Sequence, residues 1–233
     1  MRAVANGPQL EAAPSGGWWF SGWASPRIAA GVTDRHAMVS QLAEAVRHPV
    51  ILPAEQVHGS SVAVIGSPRA REPLAGADAL ITDLPGVALA IRTADCLPVF
   101  FADPGRRAVG LAHAGWRGIA AGLPARVVTA MRRSFQSRPF ELHVAIGPAI
   151  RRCCYEVGPE FEPRFGPHVQ ERDGRRTCDL VEAVAAQLTA CGVRPERMTD
   201  AGVCTACDTE RWFSLRREGP ATGRLTSLVV IRP

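Results

Sequence analysis

The sequence predicts a mixed α+β fold with three layers, in which helices cover a mixed, mostly antiparallel sheet. Short apolar runs separated by glycine- and proline-rich turns indicate many strands. Three segments with helical spacing interleave with these strands. Most connections between strands are too short for the crossover that parallel neighbours require, so a Rossmann arrangement is not expected.

The composition fits a globular protein of one large or two small domains. The chain has 233 residues, of which 46% are hydrophobic and 21% charged, and this length is enough to bury a full core. No window approaches 18 consecutive apolar residues, and the N-terminus lacks the features of a signal peptide. A cytoplasmic protein without a membrane partner is therefore expected. Residues 1–16, rich in Gly, Pro, Ala and Ser, are expected to form a flexible extension.

The first half of the chain predicts short strands around one helix. Apolar spacing over residues 36–47 predicts the helix. Aromatic and apolar runs predict strands at 18–23, 28–33, 50–52 and 62–64. His58, beside Gly59, falls at a strand end or bulge, where a side chain can be directed into a site.

The central run, residues 93–118, is the most informative part of the chain. Two apolar strands flank the turn sequence DPGRR, which is typical of a chain reversal. Because so short a turn joins antiparallel neighbours, Cys96 at the start of the first strand and His113 at the end of the second should lie side by side. The spacing predicts a thiol and an imidazole in one site.

The second half predicts two long helices and further strands. Residues 119–134 have helical character, and residues 180–191 form a second helix that Gly192 ends. Asp179 and Glu182 have the spacing of a capping box at the start of that second helix. Strands are predicted at 140–146 and 225–231.

Cysteine usage and charge exclude several classes of protein. Seven cysteines without regular spacing argue against a disulfide framework. The pair Cys204 and Cys207 has no second such pair for a zinc ribbon, and it is interpreted, like Cys153 and Cys154, as structural thiols. The net charge of +5 comes from dispersed arginines, and one Tyr and eight Phe provide few stacking platforms. Nucleic-acid binding is therefore not expected.

A metal site is the principal candidate for chemistry. His58, Cys96 and His113 would supply three ligands and leave a fourth position open to water, as in catalytic zinc sites. The alternative is that Cys96 is a small buried hydrophobic residue and each histidine a satisfied polar one. Asp95, next to Cys96, is either a partner of the site and proton acceptor or a turn cap.

Anion binding is predicted near the same run. Gly115 lets the backbone bend closely around a ligand before a helix begins, and Arg117 stands beside the amides of that helix start. Arg216, with Arg217 and Arg224 nearby in sequence, is a candidate phosphate clamp. The alternative is that these arginines form a solvated face.

Several segments together resemble the bacterial YfiH family, from about residue 31 to the C-terminus. Those segments are QVHG, DALIT, TADCLPV, HAGWRG, IGPAI, CCYEVG and FSLRREGPATGR. The family is also labelled multicopper polyphenol oxidoreductase (laccase), peptidoglycan editing factor and purine nucleoside phosphorylase. The resemblance implies one catalytic domain over residues 17–233 and zinc bound by His58, Cys96 and His113.

The implied activity is that of a zinc-dependent enzyme on purine nucleosides. It comprises phosphorolysis of adenosine, inosine, guanosine or methylthioadenosine to free base and ribose 1-phosphate, together with hydrolytic deamination of adenosine. Nucleoside and phosphate are then the partners. A multicopper centre is disfavoured, because coppers are held largely by histidines, often in His-x-His pairs, and the chain has six histidines and no such pair.

Two other functions remain open at the level of sequence. One is hydrolysis of a UDP-MurNAc peptidoglycan precursor that carries a wrong amino acid, with the same metal site. The other is a non-catalytic metal-binding protein, because the segment between GVTDR and the helix at 36–47 is shorter than in the family.

Overall fold

The computed structural model describes residues 9–14, 16–67 and 73–233. Residues 1–8, half of the expected N-terminal extension, lie outside the described residues. The strands are β1 (Gln9–Ala12), β2 (Trp18–Ser21), β3 (Ile28–Val32), β4 (Val50–Pro53), β5 (Val62–Ile65), β6 (Ala79–Thr82), β7 (Val87–Thr93), β8 (Leu97–Asp103), β9 (Ala108–Ala114), β10 (His143–Ile146), β11 (Val169–Arg172), β12 (Arg175–Cys178), β13 (Met198–Asp200) and β14 (Leu225–Ile231). The α-helices are α1 (Val39–Ala45), α2 (Trp116–Ala120), α3 (Leu123–Phe135), α4 (Glu162–Phe165), α5 (Leu180–Ala190) and α6 (Leu215–Glu218).

The strands form two six-stranded sheets and one small hairpin. The first sheet has the order β1-β2-β3-β14-β7-β4 and the second the order β13-β10-β8-β9-β6-β5, while β11 pairs with β12. Most neighbours are antiparallel, and the parallel pairs are β4 with β7, β5 with β6 and β10 with β13. The predicted α+β class with a mixed, mostly antiparallel sheet is confirmed, although the strands divide between two sheets.

Apolar side chains hold the layers together. Leu89 and Val229 of the first sheet meet Phe100 and Leu111 of the second in one buried cluster. The opposite face of the second sheet is covered by α3 and α5, whose buried residues include Val127, Met131, Val184 and Leu188. Burial of this apolar surface is the main stabilising contribution to such a layered fold.

The predicted antiparallel hairpin is present as β8 and β9. Leu97 pairs with Ala114 and Pro98 with His113, so Cys96, one residue before β8, lies diagonally across from His113. The carboxylate of Asp103 accepts from the Arg106 backbone N–H at 3.0 Å and stabilises the turn. The hairpin fixes two of the three proposed ligands at one end of the second sheet.

The helix predicted over 119–134 is two helices, α2 and α3. Gly122 has φ +78°, in the left-handed region, and Pro124 opens the new helix where it needs no donor. The predicted helix at 180–191 is confirmed as α5, and the Asp179 side chain accepts from the Glu182 backbone N–H.

Part of the segment expected to be an N-terminal extension, residues 9–12, has regular secondary structure. Gln9–Ala12 forms a strand that pairs antiparallel with β2. The strand predicted at 18–23 is present as β2 over Trp18–Ser21, and Trp23 lies beyond its end and is buried. Among the described residues, no helix is both long and apolar enough to cross a membrane.

Candidate metal centre and active site

The structure brings His58, Cys96 and His113 together from three separate segments. His58 follows β4 in a turn, Cys96 lies between β7 and β8, and His113 is in β9. Their potential ligand atoms all lie within 4.8 Å of one another. The two imidazole rings are 4.8 Å apart at an interplanar angle of 83°. Three donors of the predicted types thus converge on one point.

Asp78 holds two of these three residues in place. Its carboxylate accepts from His113 Nδ1 at 2.9 Å, and from the backbone N–H groups of His58 at 2.9 Å and Gly59 at 2.6 Å. Asp78 is 0% exposed and His113 is 3% exposed. With Nδ1 directed at the carboxylate, His113 presents Nε2 to the site, an arrangement common among metal-ligating histidines.

Asp78 also explains the backbone conformation at His58. His58 has φ +59°, which is unusual for a residue other than glycine. The two backbone hydrogen bonds to Asp78 oppose this strain. A Cβ at Gly118 would lie 2.7 Å from the Gly59 carbonyl oxygen, so glycine is required where α2 approaches this turn.

In the metal-free site, the ionisable side chains shift one another's pKa values. Burial disfavours the charge on Cys96, but hydrogen bonds with His113 and His58 outweigh it and lower the pKa of the thiol to about 7. Burial also disfavours the charge on His113, but Asp78 and Cys96 together raise its pKa to about 9. The Asp78 pKa is lowered in spite of burial, chiefly because of the hydrogen bond to His113.

The three donors fit a metal ion with one open position. Gly115 leaves room in this space, because a Cβ there would lie 3.2 Å from Cys96 Sγ and 3.3 Å from His58 Cδ2 and would crowd both side chains. One thiolate and two imidazoles suit zinc, and also occur with a weak axial methionine in electron-transfer copper sites. The described residues that line the adjoining cavities include no methionine.

Asp95 lies beside Cys96 but its carboxylate is occupied by protein groups. It is 9% exposed, accepts from the Thr205 hydroxyl at 2.6 Å and accepts from the Arg216 backbone N–H at 2.7 Å. Its φ of +86° places the residue in the left-handed region. Asp95 therefore ties the Cys96 turn to the C-terminal segment of the chain.

Two cavities meet at His58 and Cys96. The more polar one, of about 440 Å³ (the polar cavity), has a lining that includes Glu55, Gln56, Arg92, Thr222 and Arg224. The other, of about 360 Å³, is more apolar, and its lining includes Gly115, Trp116, Arg117, Ile150, Tyr155 and Arg216. Both cavities are large enough for part of a small organic molecule.

The arginines of the two cavities have different surroundings. The Arg224 guanidinium donates to the backbone carbonyls of Thr222 and Gly223, and it forms no ion pair with any carboxylate that the structure describes. The guanidinium of Arg117 stacks on Trp116 at 4.5 Å, and that of Arg216 lies 5.2 Å from the centre of the Tyr155 ring. In the more apolar cavity both guanidinium groups thus lie against aromatic rings.

Comparison with known proteins identifies the family. The family model described as multi-copper polyphenol oxidoreductase laccase matches residues 15–232. The chain belongs to this family. The laccase-labelled family includes a relative named purine nucleoside phosphorylase YlmD, from Geobacillus stearothermophilus. It is 36% identical over 191 residues, which cover 75% of this chain and 70% of that protein.

Other members of the laccase-labelled family support the same placement. A purine nucleoside phosphorylase of Bacteroides thetaiotaomicron is 32% identical and covers 91% of this chain and 83% of its own length. The crystal structure of YlmD from G. stearothermophilus superposes with a TM-score of 0.89 at 29% identity, over 97% of this chain and 100% of that one. The Bacillus licheniformis protein YfiH has a TM-score of 0.88 at 24% identity and shows the fold alone. The resemblance to the YfiH family is confirmed.

Sequence reasoning missed two features of this region. The first is the role of Asp78, which immediately precedes β6 in the DALIT segment. In the sequence it is indistinguishable from any polar residue that precedes a strand. The spacing also did not reveal that Cys153 and Cys154 lie against Cys204 and Cys207. Both features depend on contacts between segments that are distant in sequence.

Proposed function

We propose that this protein is a zinc-dependent enzyme that cleaves purine nucleosides with phosphate to free base and ribose 1-phosphate. The observation that carries the proposal is the position of the His58–Cys96–His113 group at the junction of two unlike cavities. The names of the relatives support the substrate class. Zinc is favoured over copper because the three donors leave an open side toward the cavities.

The two cavities suit an in-line displacement at the ribose C1′ atom. Phosphate oxygen attacks C1′ from one side, and the bond from C1′ to the purine nitrogen breaks on the other side. The purine takes the bonding electron pair and a proton. A site for this reaction needs an anion pocket and a flat apolar pocket on opposite sides of the sugar, and the two cavities have those characters.

The more apolar cavity is assigned to the purine. Trp116 and Tyr155 provide aromatic surface there, and Arg117 and Arg216 lie against those rings. Burial raises the pKa of Tyr155 above its ordinary value, so its hydroxyl stays protonated and is able to donate a hydrogen bond to a ring nitrogen. Arg117 and Arg216 were expected to bind phosphate, but their stacking favours a role beside the base.

The polar cavity is assigned to phosphate. The guanidinium of Arg224 and the exposed side chain of Arg92 line it together with Glu55, so two cationic groups and one carboxylate face this cavity. Gln56 fixes the backbone at Arg92 through hydrogen bonds of 2.6 and 2.7 Å. Guanidinium groups bind phosphate through paired charge-assisted hydrogen bonds.

The metal site lies between these two pockets. Bound zinc supplies a Lewis acid that polarises an oxygen of the substrate or of water. Asp78 orients His113, and the Cys96 thiolate provides the anionic ligand. We assign Asp95 a positioning role, because both of its carboxylate oxygens accept hydrogen bonds from the protein. Deamination of adenosine is included in the proposal: water would add at purine C6, the bond from C6 to the amino nitrogen would break, and ammonia would leave.

Incubation of zinc-loaded protein with inosine, with and without phosphate, tests the proposal. Chromatography should show hypoxanthine release that depends on phosphate, and Arg224→Gln should raise KM for phosphate about tenfold or more, the effect of losing one charge-assisted contact. Arg133→Gln is the matched control, because that arginine is exposed on α3. Zinc-loaded protein that releases neither base from inosine nor inosine from adenosine would contradict the proposal and favour a non-catalytic metal-binding protein.

A further inference from the structure

Four cysteines form a second cluster outside the site described above. Cys153 and Cys154 come from the turn after β10, and Cys204 and Cys207 come from the loop after β13. Their sulfur atoms all lie within 4.8 Å of one another. Cys153 and Cys207 are exposed and the other two are partly buried, so the cluster is accessible from solvent.

The separations between the sulfurs fit a shared metal ion better than a disulfide. Cys207 Sγ lies 3.6 Å from Cys153 Sγ and 3.4 Å from Cys154 Sγ. Four thiolates about 2.3 Å from a central zinc ion occupy a tetrahedron with edges of about 3.8 Å. A disulfide requires a separation of about 2.0 Å. All four cysteines are unbridged in the structure.

The backbone around the cluster is organised as in zinc sites of the Cys-x-x-Cys type. The Cys207 N–H donates to the Cys204 carbonyl at 3.2 Å and closes a tight turn. The two segments are joined next to the cluster by a parallel bridge between Ala149 and Cys204.

A positively charged side chain is placed to balance the charge of such a centre. Four thiolates around Zn²⁺ carry a net charge of −2. The Arg217 guanidinium lies 3.7 Å from Cys154 Sγ, and its Nε donates to the Ala206 carbonyl at 3.0 Å. Arg217 thus contacts both chain segments that would supply ligands.

We propose that Cys153, Cys154, Cys204 and Cys207 bind a structural zinc ion. With four protein thiolates the coordination shell is complete, so no position remains for water or substrate, as in structural zinc sites. The ion would fasten the turn after β10 to the C-terminal loop. When zinc binds, each of the four cysteine thiols would lose a proton to solvent and become a thiolate ligand. No other reactant is required.

The proposed ion would also support the active site from a distance. Thr205, between two of the ligands, donates its hydroxyl to Asp95 at 2.6 Å. Asp95 precedes Cys96 in the chain and accepts from the Arg216 backbone. Fixing the loop at Cys204 and Cys207 therefore fixes a hydrogen-bond chain that ends beside the first metal site.

Zinc content measured by mass spectrometry tests this proposal independently of activity. Protein isolated under nitrogen with a reductant should contain two zinc ions per chain. The double variant Cys204→Ser/Cys207→Ser should retain one, and His58→Ala/His113→Ala should also retain one. Cys191→Ser, which alters a partly buried cysteine at the end of α5, should retain two. Equal zinc content in the wild type and in the double cysteine variant would overturn the proposal.

Two further measurements test the assignment, and the second of them uses the wild-type protein, so it does not depend on the folding of a variant. Cobalt loaded in place of zinc into His58→Ala/His113→Ala should give the intense thiolate-to-metal absorption of a four-thiolate site. The native wild type should also resist alkylation of these four cysteines until a chelator is added. Rapid alkylation without a chelator, or an intact mass that shows a disulfide in protein kept reduced, would contradict the assignment.

Discussion

The substitution Asp78→Asn tests the support of the candidate metal centre most sharply. It keeps the size of the side chain but replaces one carboxylate oxygen by an N–H₂ group. Asp78 accepts three hydrogen bonds, from His58, Gly59 and His113, at 2.6–2.9 Å. In the variant these bonds lose their ionic partner, and one N–H donor faces another donor.

The magnitude follows from those three contacts. Hydrogen bonds to charged groups contribute about 1 kcal/mol more than neutral ones, so the free energy of unfolding should fall by about 3 kcal/mol. Loss of the carboxylate partner of a metal-ligating histidine lowers metal affinity about 10- to 100-fold. That range corresponds to about 1.4–2.7 kcal/mol of binding free energy.

Chelator competition and urea unfolding of the metal-free protein measure the two quantities separately. Asp83→Asn is the control. Asp78 and Asp83 flank β6 at its two ends, and Asp83 is exposed. We expect Asp83→Asn to match the wild type in both measurements. A zinc affinity for Asp78→Asn within twofold of the wild type would refute the role assigned to Asp78.

Three further outcomes are expected. In metal-free protein, alkylation of Cys96 should be half-maximal near pH 7 instead of 9.0, because hydrogen bonds from His113 and His58 outweigh burial and stabilise the thiolate; its rate is measured by mass spectrometry. Gly115→Ala should lower zinc affinity about tenfold without backbone strain, because φ is −74° and the added Cβ crowds Cys96. Gly122→Ala should cost about 1 kcal/mol in urea unfolding, because φ is +78°.

A specific result would contradict each of these three predictions. Because the pKa of His113 is raised to about 9, its charge supports the Cys96 thiolate below that pH. Alkylation that still requires pH 9 would show that the two side chains do not interact. Wild-type zinc affinity in Gly115→Ala would place the metal elsewhere, and unchanged stability in Gly122→Ala would mean that the chain between α2 and α3 relaxes.

The predictable part of the site is the part that depends on local sequence. Cys96 and His113 are 17 residues apart across a tight turn, and their antiparallel strands and proximity follow from that turn, although the register places Pro98 and not Cys96 opposite His113. His58 belongs to a different segment. Its position at a strand end was evident in the sequence, but its approach to the other two depends on Asp78, a long-range contact.

The unpredicted features arise from chain segments that meet through tertiary structure. The vicinal pair at Cys153 and the pair at Cys204 are about 50 residues apart, and a parallel bridge at Ala149 brings them together. Gly122 and Pro124 are a local sequence signal for the break between α2 and α3. The single helix at 119–134 was predicted because the apolar spacing of that segment was given more weight. Division of the strands between two sheets likewise depends on packing and not on local pattern.

Zinc titration of the metal-free protein, followed by hypoxanthine release from inosine and phosphate, tests the central claim most directly. The His58–Cys96–His113 group should account for activity that rises in proportion to zinc bound there, with one ribose 1-phosphate formed per hypoxanthine. Cys96→Ala should remain inactive at every zinc concentration while it stays folded. A metal-free protein as active as the loaded one, or full loading without phosphate-dependent base release, would contradict the account.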